Sequence, residues 1–292
     1  MSLQWTIDCG PWTFYDNMDK QKLFFKHPEG IVEGIYLNAG KNSNLVIIVN
    51  GHNGFYNYGM FPYIQEKLFS GGISSYSFNF SHGGVKGDSD YFEDLQGYEQ
   101  NCMRLETADV VSIFNEQNNL IENHSKIILF AHSLGGVPAL HAAKNLIDDN
   151  KKIDGIILVS TVKTLNFWPS EMLKEWSSAG VLYRKNNRTK QDLPQGFELL
   201  QEVMASEREW NVERVIRALD LPILIVVGSA DESVSPEHGR SLYEWIKETN
   251  RNSTFRIIEG ASHTYNTKHP FEGTSPQLEE LIEITTTWIK DL

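Results

Sequence analysis

The chain has 292 residues, 40% of them hydrophobic and 22% charged, which suits a soluble globular protein with a sizeable core. Its formal net charge of -12, from 26 Lys and Arg against 38 Asp and Glu, repels phosphate backbones and anionic membranes and argues against nucleic acid as a partner. Two cysteines, Cys9 and Cys102, make no disulfide framework and no metal-type spacing, so a reducing, cytoplasmic setting is expected.

The first residues, MSLQWTIDCGPW, lack the basic and apolar regions of a secretory leader. No apolar run approaches the ~20 residues of a membrane helix. Two β-rich runs follow, KLFFKH and IVEGIYLNA, separated by the turn signal Pro28-Glu29-Gly30. They predict an antiparallel hairpin at one sheet edge. Six more runs, NLVIIVN, ISSYSFNF, KIILFAH, IDGIILVS, PILIVVGS and TFRIIEG, lack strict alternation. They predict strands buried on both faces, the pattern of a parallel sheet. Helical segments fall between them at 58–69, 102–116, 134–147, 236–247 and 276–289. The expected architecture is therefore α/β: a doubly wound, mostly parallel sheet with helices on both faces. Residues 162–219 break this rhythm. No strand is expected there, only polar helical pieces carrying Phe167, Trp168, Trp176, Tyr183, Phe197 and Trp210. Lying between two core strands, they predict an inserted helical lid, with 1–161 and 220–292 forming the core.

The stretch ILFAHSLGGVPAL holds a hydroxyl where a buried run ends. A strand turning straight into a helix at Ser133 needs small neighbours, and Ala131, Gly135 and Gly136 supply them. The serine then stands at the carboxyl end of the sheet, beside the free N–H groups of a helix start. Pro138 lies near the first turn, close to the limit a helix start tolerates.

Ala131-His132-Ser133-Leu134-Gly135 resembles the nucleophile elbow of the α/β-hydrolases, with Ala in place of the first Gly. The likeness runs from Leu45 to Tyr265, interrupted by the lid, and is greatest to helical-lid members such as cinnamoyl and feruloyl esterases and monoglyceride-type lipases. It implies a triad in the order Ser, acid, His. The loop after PILIVVGS matches the acid loop, which makes Asp231 the acid, with Glu232 as local competitor. His263 follows the last strand and matches the base; His269 is its rival. His27, His52, His82, His124, His132 and His141 precede the acid in the chain, and His238 lies in the helix after it. His132 adjoins the serine, but successive side chains of an extended segment point opposite ways, so it is expected to pack under the elbow.

By the same resemblance Leu134 N–H is one oxyanion donor. The loop Asn50-Gly51-His52-Asn53-Gly54 is similar to the His-Gly oxyanion loop, with Asn50 in the His place; the second donor is then the His52 N–H, or that of Asn53. Ser81-His82-Gly83-Gly84 stands where the family has a further pocket loop. The implied activity is hydrolysis of small to medium carboxylic esters, with Trp168 and Trp176 of the lid suggesting an apolar or aromatic acyl group, although a lid tryptophan also serves simply as core. An imidazole base implies activity lost as pH falls below the neutral range. Peptidase, amidase or thioesterase chemistry uses the same residues, and a catalytically silent binding module is the reading from another class. No cofactor is implied, no metal-ligand spacing occurs, and GHNGFYNYG lacks a dinucleotide fingerprint.

Overall fold

The eight runs predicted as strands are the eight strands of one sheet in the computed structural model, which describes residues 20–116 and 118–292. Cys9 and the stretch read as lacking a leader lie outside the described residues, while Cys102 is a buried free thiol. The chain opens with β1 (Lys20–His27), β2 (Gly30–Leu37), β3 (Leu45–Val49), α1 (Phe61–Ser70) and β4 (Ser74–Asn79). Next come α2 (Leu95–Gln100), α3 (Met103–Glu116), α4 (Asn118–Glu122), β5 (Ile127–His132), a single 3-10 turn at Ser133–Gly135, α5 (Gly136–Asp148) and β6 (Gly155–Val159). The segment predicted as a lid holds α6 (Ser170–Ala179), β7 (Leu182–Lys185), β8 (Asp192–Gln195), α7 (Phe197–Met204) and α8 (Val212–Arg217). β9 (Ile223–Gly228), α9 (Glu237–Ile246), β10 (Thr254–Ile258) and α10 (Pro276–Asp291) complete the chain.

The sheet order is β1-β2-β4-β3-β5-β6-β9-β10. β1 and β2 form the predicted edge hairpin, β2 is antiparallel to β4, and every later pairing is parallel. Every residue of β3, β5, β6 and β9 is buried, as strands covered on both faces require. Period-2 alternation splits their side chains between two layers. Leu45, Ile47 and Val49 join α3 and α5 on one face; Val46 and Ile48 meet Phe61, Ile64 and Leu68 of α1 and Leu278, Leu281 and Ile282 of α10 on the other. Each such aliphatic chain contributes about 2 kcal/mol relative to exposure. β10 departs from the expected double burial: only Ile258 is fully buried and Arg256 is exposed, because β10 is the sheet's last strand and no strand among the described residues pairs on its outer side.

The expectation that 162–219 contains no strand is overturned by the antiparallel hairpin of β7 and β8. LYRK holds one buried residue and DLPQ contains Pro194, so neither gives a readable alternation. Pro194 lacks a backbone donor and is tolerated in a two-stranded ribbon. α8 packs against α5 and α9 of the core rather than against the hairpin.

Candidate active site

β5 delivers its last residue, His132, opposite Val159 of β6, while the preceding Ala131 faces Val49 of β3. The chain then turns at Ser133 with φ +56°, a left-handed value rare for an L-residue. The bend survives because Gly135 and Gly136, just past Leu134, lack side chains. A Cβ on Gly135 would stand 2.2 Å from the Asn50 carbonyl oxygen, and one on Gly136 would stand 2.1 Å from Thr161 Cγ2. The helix start is thereby threaded between the loops that follow β3 and β6. It opens as a 3-10 turn, so the helix expected from Leu134 begins at Gly136.

Three loops meet at this rim. His263 follows β10, and its Nε2 lies 3.0 Å from Ser133 Oγ. Its Nδ1 lies 2.8 Å from Asp231 Oδ2, in the loop after β9. With the Nδ1–H donating to the carboxylate, Nε2 is left to accept the serine proton; the tautomer is assigned from these partners. Asp231 Oδ1 accepts the backbone N–H groups of Ser233 and Val234 at 2.9 and 2.8 Å. Burial alone would raise the Asp231 carboxyl, but the hydrogen bond and charge of His263, the Val234 N–H and the Ser160 hydroxyl hold it below its ordinary value. Glu232 is exposed and Asp231, not Glu232, meets the imidazole.

The other histidines are occupied elsewhere. His269 Nδ1 accepts the Gly59 N–H at 2.9 Å and its Nε2 donates to Asp90 at 3.1 Å, with the ring stacked on Tyr58. His238 Nδ1 accepts the Lys163 N–H at 3.0 Å. His132 is buried, and its Nε2–H donates to the His263 carbonyl oxygen at 3.0 Å. Burial, then the charge of His263, pushes the His132 ring down to about 3, so it remains a neutral donor behind the His263 backbone. Neither this contact nor the Ser160 hydroxyl on Asp231 was visible in the sequence, since both join segments with no spacing motif between them.

The loop after β3 lies against the serine: a Cβ on Gly51 would stand 2.8 Å from Ser133 Cβ. Asn50 is fully buried and ties the loop to β4 through Nδ2–H donating to the Phe78 carbonyl at 2.7 Å. Asn53 has φ +62°, and its Oδ1 accepts the Tyr98 hydroxyl at 2.6 Å. The backbone N–H groups of Leu134, His52 and Asn53 have no hydrogen-bond partner among the described residues. The His52 ring accepts Gln195 Nε2–H at 2.8 Å, so the inserted hairpin touches this loop directly. Burial, and after it the charge of Arg184, lowers His52 to about 4. In the Ser81–Gly84 segment the Ser81 N–H donates to Asp109 at 2.7 Å and Gly84 lies against Phe92 and Tyr98.

Trp168 and Trp176 pack edge to face, 5.4 Å between ring centroids, in the apolar cluster that also holds Leu134. Trp176 is completely buried and Trp168 is 8% exposed, with the Arg184 guanidinium 5.0 Å above its ring. Among the described residues no three His, Cys, Asp or Glu side chains gather as a metal site, and no helix is long and apolar enough to cross a membrane. The arrangement at the rim offers a hydroxyl, an imidazole positioned to take its proton, a carboxylate to orient that imidazole, and unpaired backbone N–H groups beside them.

The sequence model of a family described as "Alpha/beta hydrolase family" matches residues 46–276. No curated protein matches the chain. Among solved structures, Est1E from Butyrivibrio proteoclasticus with ferulic acid bound is similar, with a TM-score of 0.68 at 17% identity over 92% of this chain and 98% of that one. A monoacylglycerol lipase of Paleococcus ferrophilus gives a TM-score of 0.61 at 21% identity over 86% and 97%. Alpha/beta hydrolase domain-containing protein 10 from mouse gives 0.65 at 18% identity over 93% and 99%. At these identities the likeness is one of fold.

Proposed function

Because the chain belongs to the alpha/beta hydrolase family, we propose that it is a serine esterase that cleaves small to medium carboxylic esters through an acyl-enzyme. The observation that carries this reading is the continuous proton path from Ser133 Oγ to His263 Nε2 at 3.0 Å and from His263 Nδ1 to Asp231 at 2.8 Å. Ser133 Oγ attacks the ester carbonyl while its proton passes to His263 Nε2. Asp231, held ionised by its own hydrogen bonds, stabilises the imidazolium. The N–H groups of Leu134 and His52 receive the carbonyl oxygen as it gains charge, each such donor contributing about 3 kcal/mol. Collapse expels the alcohol, which takes the proton back from His263. A water molecule then repeats the sequence on the acyl-serine, releasing the acid and restoring Ser133.

Residues 162–219 act in this reading as a lid over the rim, with Trp168 backed by Trp176 as an apolar wall for the acyl group. The likenesses to Est1E with ferulic acid bound and to a monoacylglycerol lipase favour ester substrates over other acyl bonds. The test uses p-nitrophenyl butyrate, a p-nitroanilide and a fluorophosphonate probe. Hydrolysis of the ester, with probe labelling abolished in Ser133→Ala and turnover down by at least about 10⁴-fold, is the expected result. A purified protein that hydrolyses no ester and resists the probe would return the chain to the binding-module reading; preference for the anilide would make it an amidase.

A further inference from the structure

The β7–β8 hairpin has two faces, and their contents differ. Register pairs Leu182 with Gln195 and Arg184 with Leu193, which puts these four side chains on one face. Leu193 is 1% exposed among Phe55, Val85, Phe92 and Tyr98, and Gln195 donates to His52, so this face is turned towards the core and the loop beside Ser133. On the opposite face Tyr183 is 62% exposed, while its partner Pro194 is buried. Arg184 thus shares the face of Leu193 and Gln195, and unlike them it is exposed to solvent.

No carboxylate or other hydrogen-bond acceptor meets the Arg184 side chain among the described residues; its guanidinium lies 5.0 Å over the Trp168 ring. Scarcity of acids does not explain this, since the chain has 38 Asp and Glu against 26 Lys and Arg. Cation–π contact leaves the edge of the guanidinium, and its N–H donors, free. Arg184 is also close enough to the loop to be felt there, since after burial its charge is the second cause lowering His52. A planar cation seated on an aromatic face with its fork unoccupied is suited to a carboxylate arriving from solution.

We propose that Arg184 is a specificity-determining residue that binds a carboxylate carried by the ester substrate, away from the scissile carbonyl. The inference rests on the esterase reading of Ser133 and adds to it the charge of the substrate. The negative group resides either on the acyl chain or on the alcohol, and paired probes separate the two. p-Nitrophenyl hemiglutarate is compared with p-nitrophenyl valerate for the acyl side, and 4-carboxyphenyl butyrate with phenyl butyrate for the alcohol side, in wild type, Arg184→Gln and Arg184→Lys at low ionic strength. In one pair Arg184→Gln loses about tenfold in kcat/KM on the charged ester, carried by KM, and less than about twofold on its neutral partner. Arg184→Lys retains part of the preference, and added salt erodes it.

Equal losses on charged and neutral esters in both pairs would overturn the proposal and make Arg184 a cover for Trp168. Neutral esters turned over without charge discrimination sink this inference alone; failure to turn over any ester sinks the esterase reading. In that second case the anion site is still tested, by calorimetric binding of monomethyl glutarate to Ser133→Ala with and without Arg184→Gln. Weaker binding without the arginine supports the site, and unchanged or absent binding refutes it. Thermal unfolding of each variant shows whether a loss comes from the fold.

Discussion

Ser133 holds a left-handed backbone at φ +56°, which costs an L-residue about 1–2 kcal/mol and is maintained by the strand before it and the helix after it. Ser133→Gly should therefore unfold at a higher temperature than Ser133→Ala, by about 1 kcal/mol in stability, although neither has a nucleophile. Equal melting temperatures would mean that the bend is unstrained. Gly135→Ala tests the threading of the elbow: its new Cβ, 2.2 Å from the Asn50 carbonyl, must push the loop carrying His52 aside. The expected cost is about 1–3 kcal/mol in stability, with a greater proportional loss of esterase turnover. Asp231→Asn should lower kcat by about 10⁴ with the fold retained, and Glu232→Gln should leave it unchanged. A reversal of those two effects would move the acid by one residue. The sequence made Ser133, Asp231 and His263 legible as a set only through the resemblance, because each lies at the end of a recognisable strand. It was silent on His132 behind the His263 carbonyl and on Gln195 against His52, whose partners lie 131 and 143 residues away.

The eight strands of the main sheet were readable because each is an apolar run between turn residues, and burial on both faces allows no polar interruption. The β7–β8 hairpin was not, because its strands are four residues long and neither alternates: LYRK buries only its first residue and DLPQ its last three. Its attachment is nonetheless specific: Leu193 fills a small cluster with Phe55, Val85, Phe92 and Tyr98, and the Gln191 side chain pairs with both the N–H and the carbonyl of Phe92. Leu193→Ala should cost about 2–4 kcal/mol of the hairpin's docking. Amide exchange at 182–195 would then accelerate while the core strands stay protected. Acceleration spread equally over β3 and β5 would show that the hairpin and the sheet unfold as one unit.

At the scale of the whole molecule, buried titratable groups set opposing pH slopes. Glu106 is pushed up to about 8, chiefly by burial, against the Asn101 hydrogen bond, and Glu202 to about 7, also by burial. The folded chain keeps protons on both that the unfolded chain releases above its ordinary 4.5, so stability falls as pH rises from 4.5 towards 8. Burial lowers His52 and His141 to about 4 and His132 to about 3, so the unfolded chain takes up protons below 6.5 that the folded one refuses, and stability falls on that side too. Between 6.5 and 8 the slope is that of the two raised glutamates. The melting temperature should accordingly peak in mildly acid solution and decline to pH 8, and Glu106→Gln should flatten that decline; a rise over the same interval would contradict it. The proton path itself spans 130 residues of chain, from Ser133 to a histidine placed after the sheet's last strand. In the proposed mechanism a nascent polypeptide therefore carries its hydroxyl unarmed through most of translation. Chemical competence would arrive only when β10 has zipped onto β9, so the first turnover of a new molecule would also signal that its C-terminal quarter has docked.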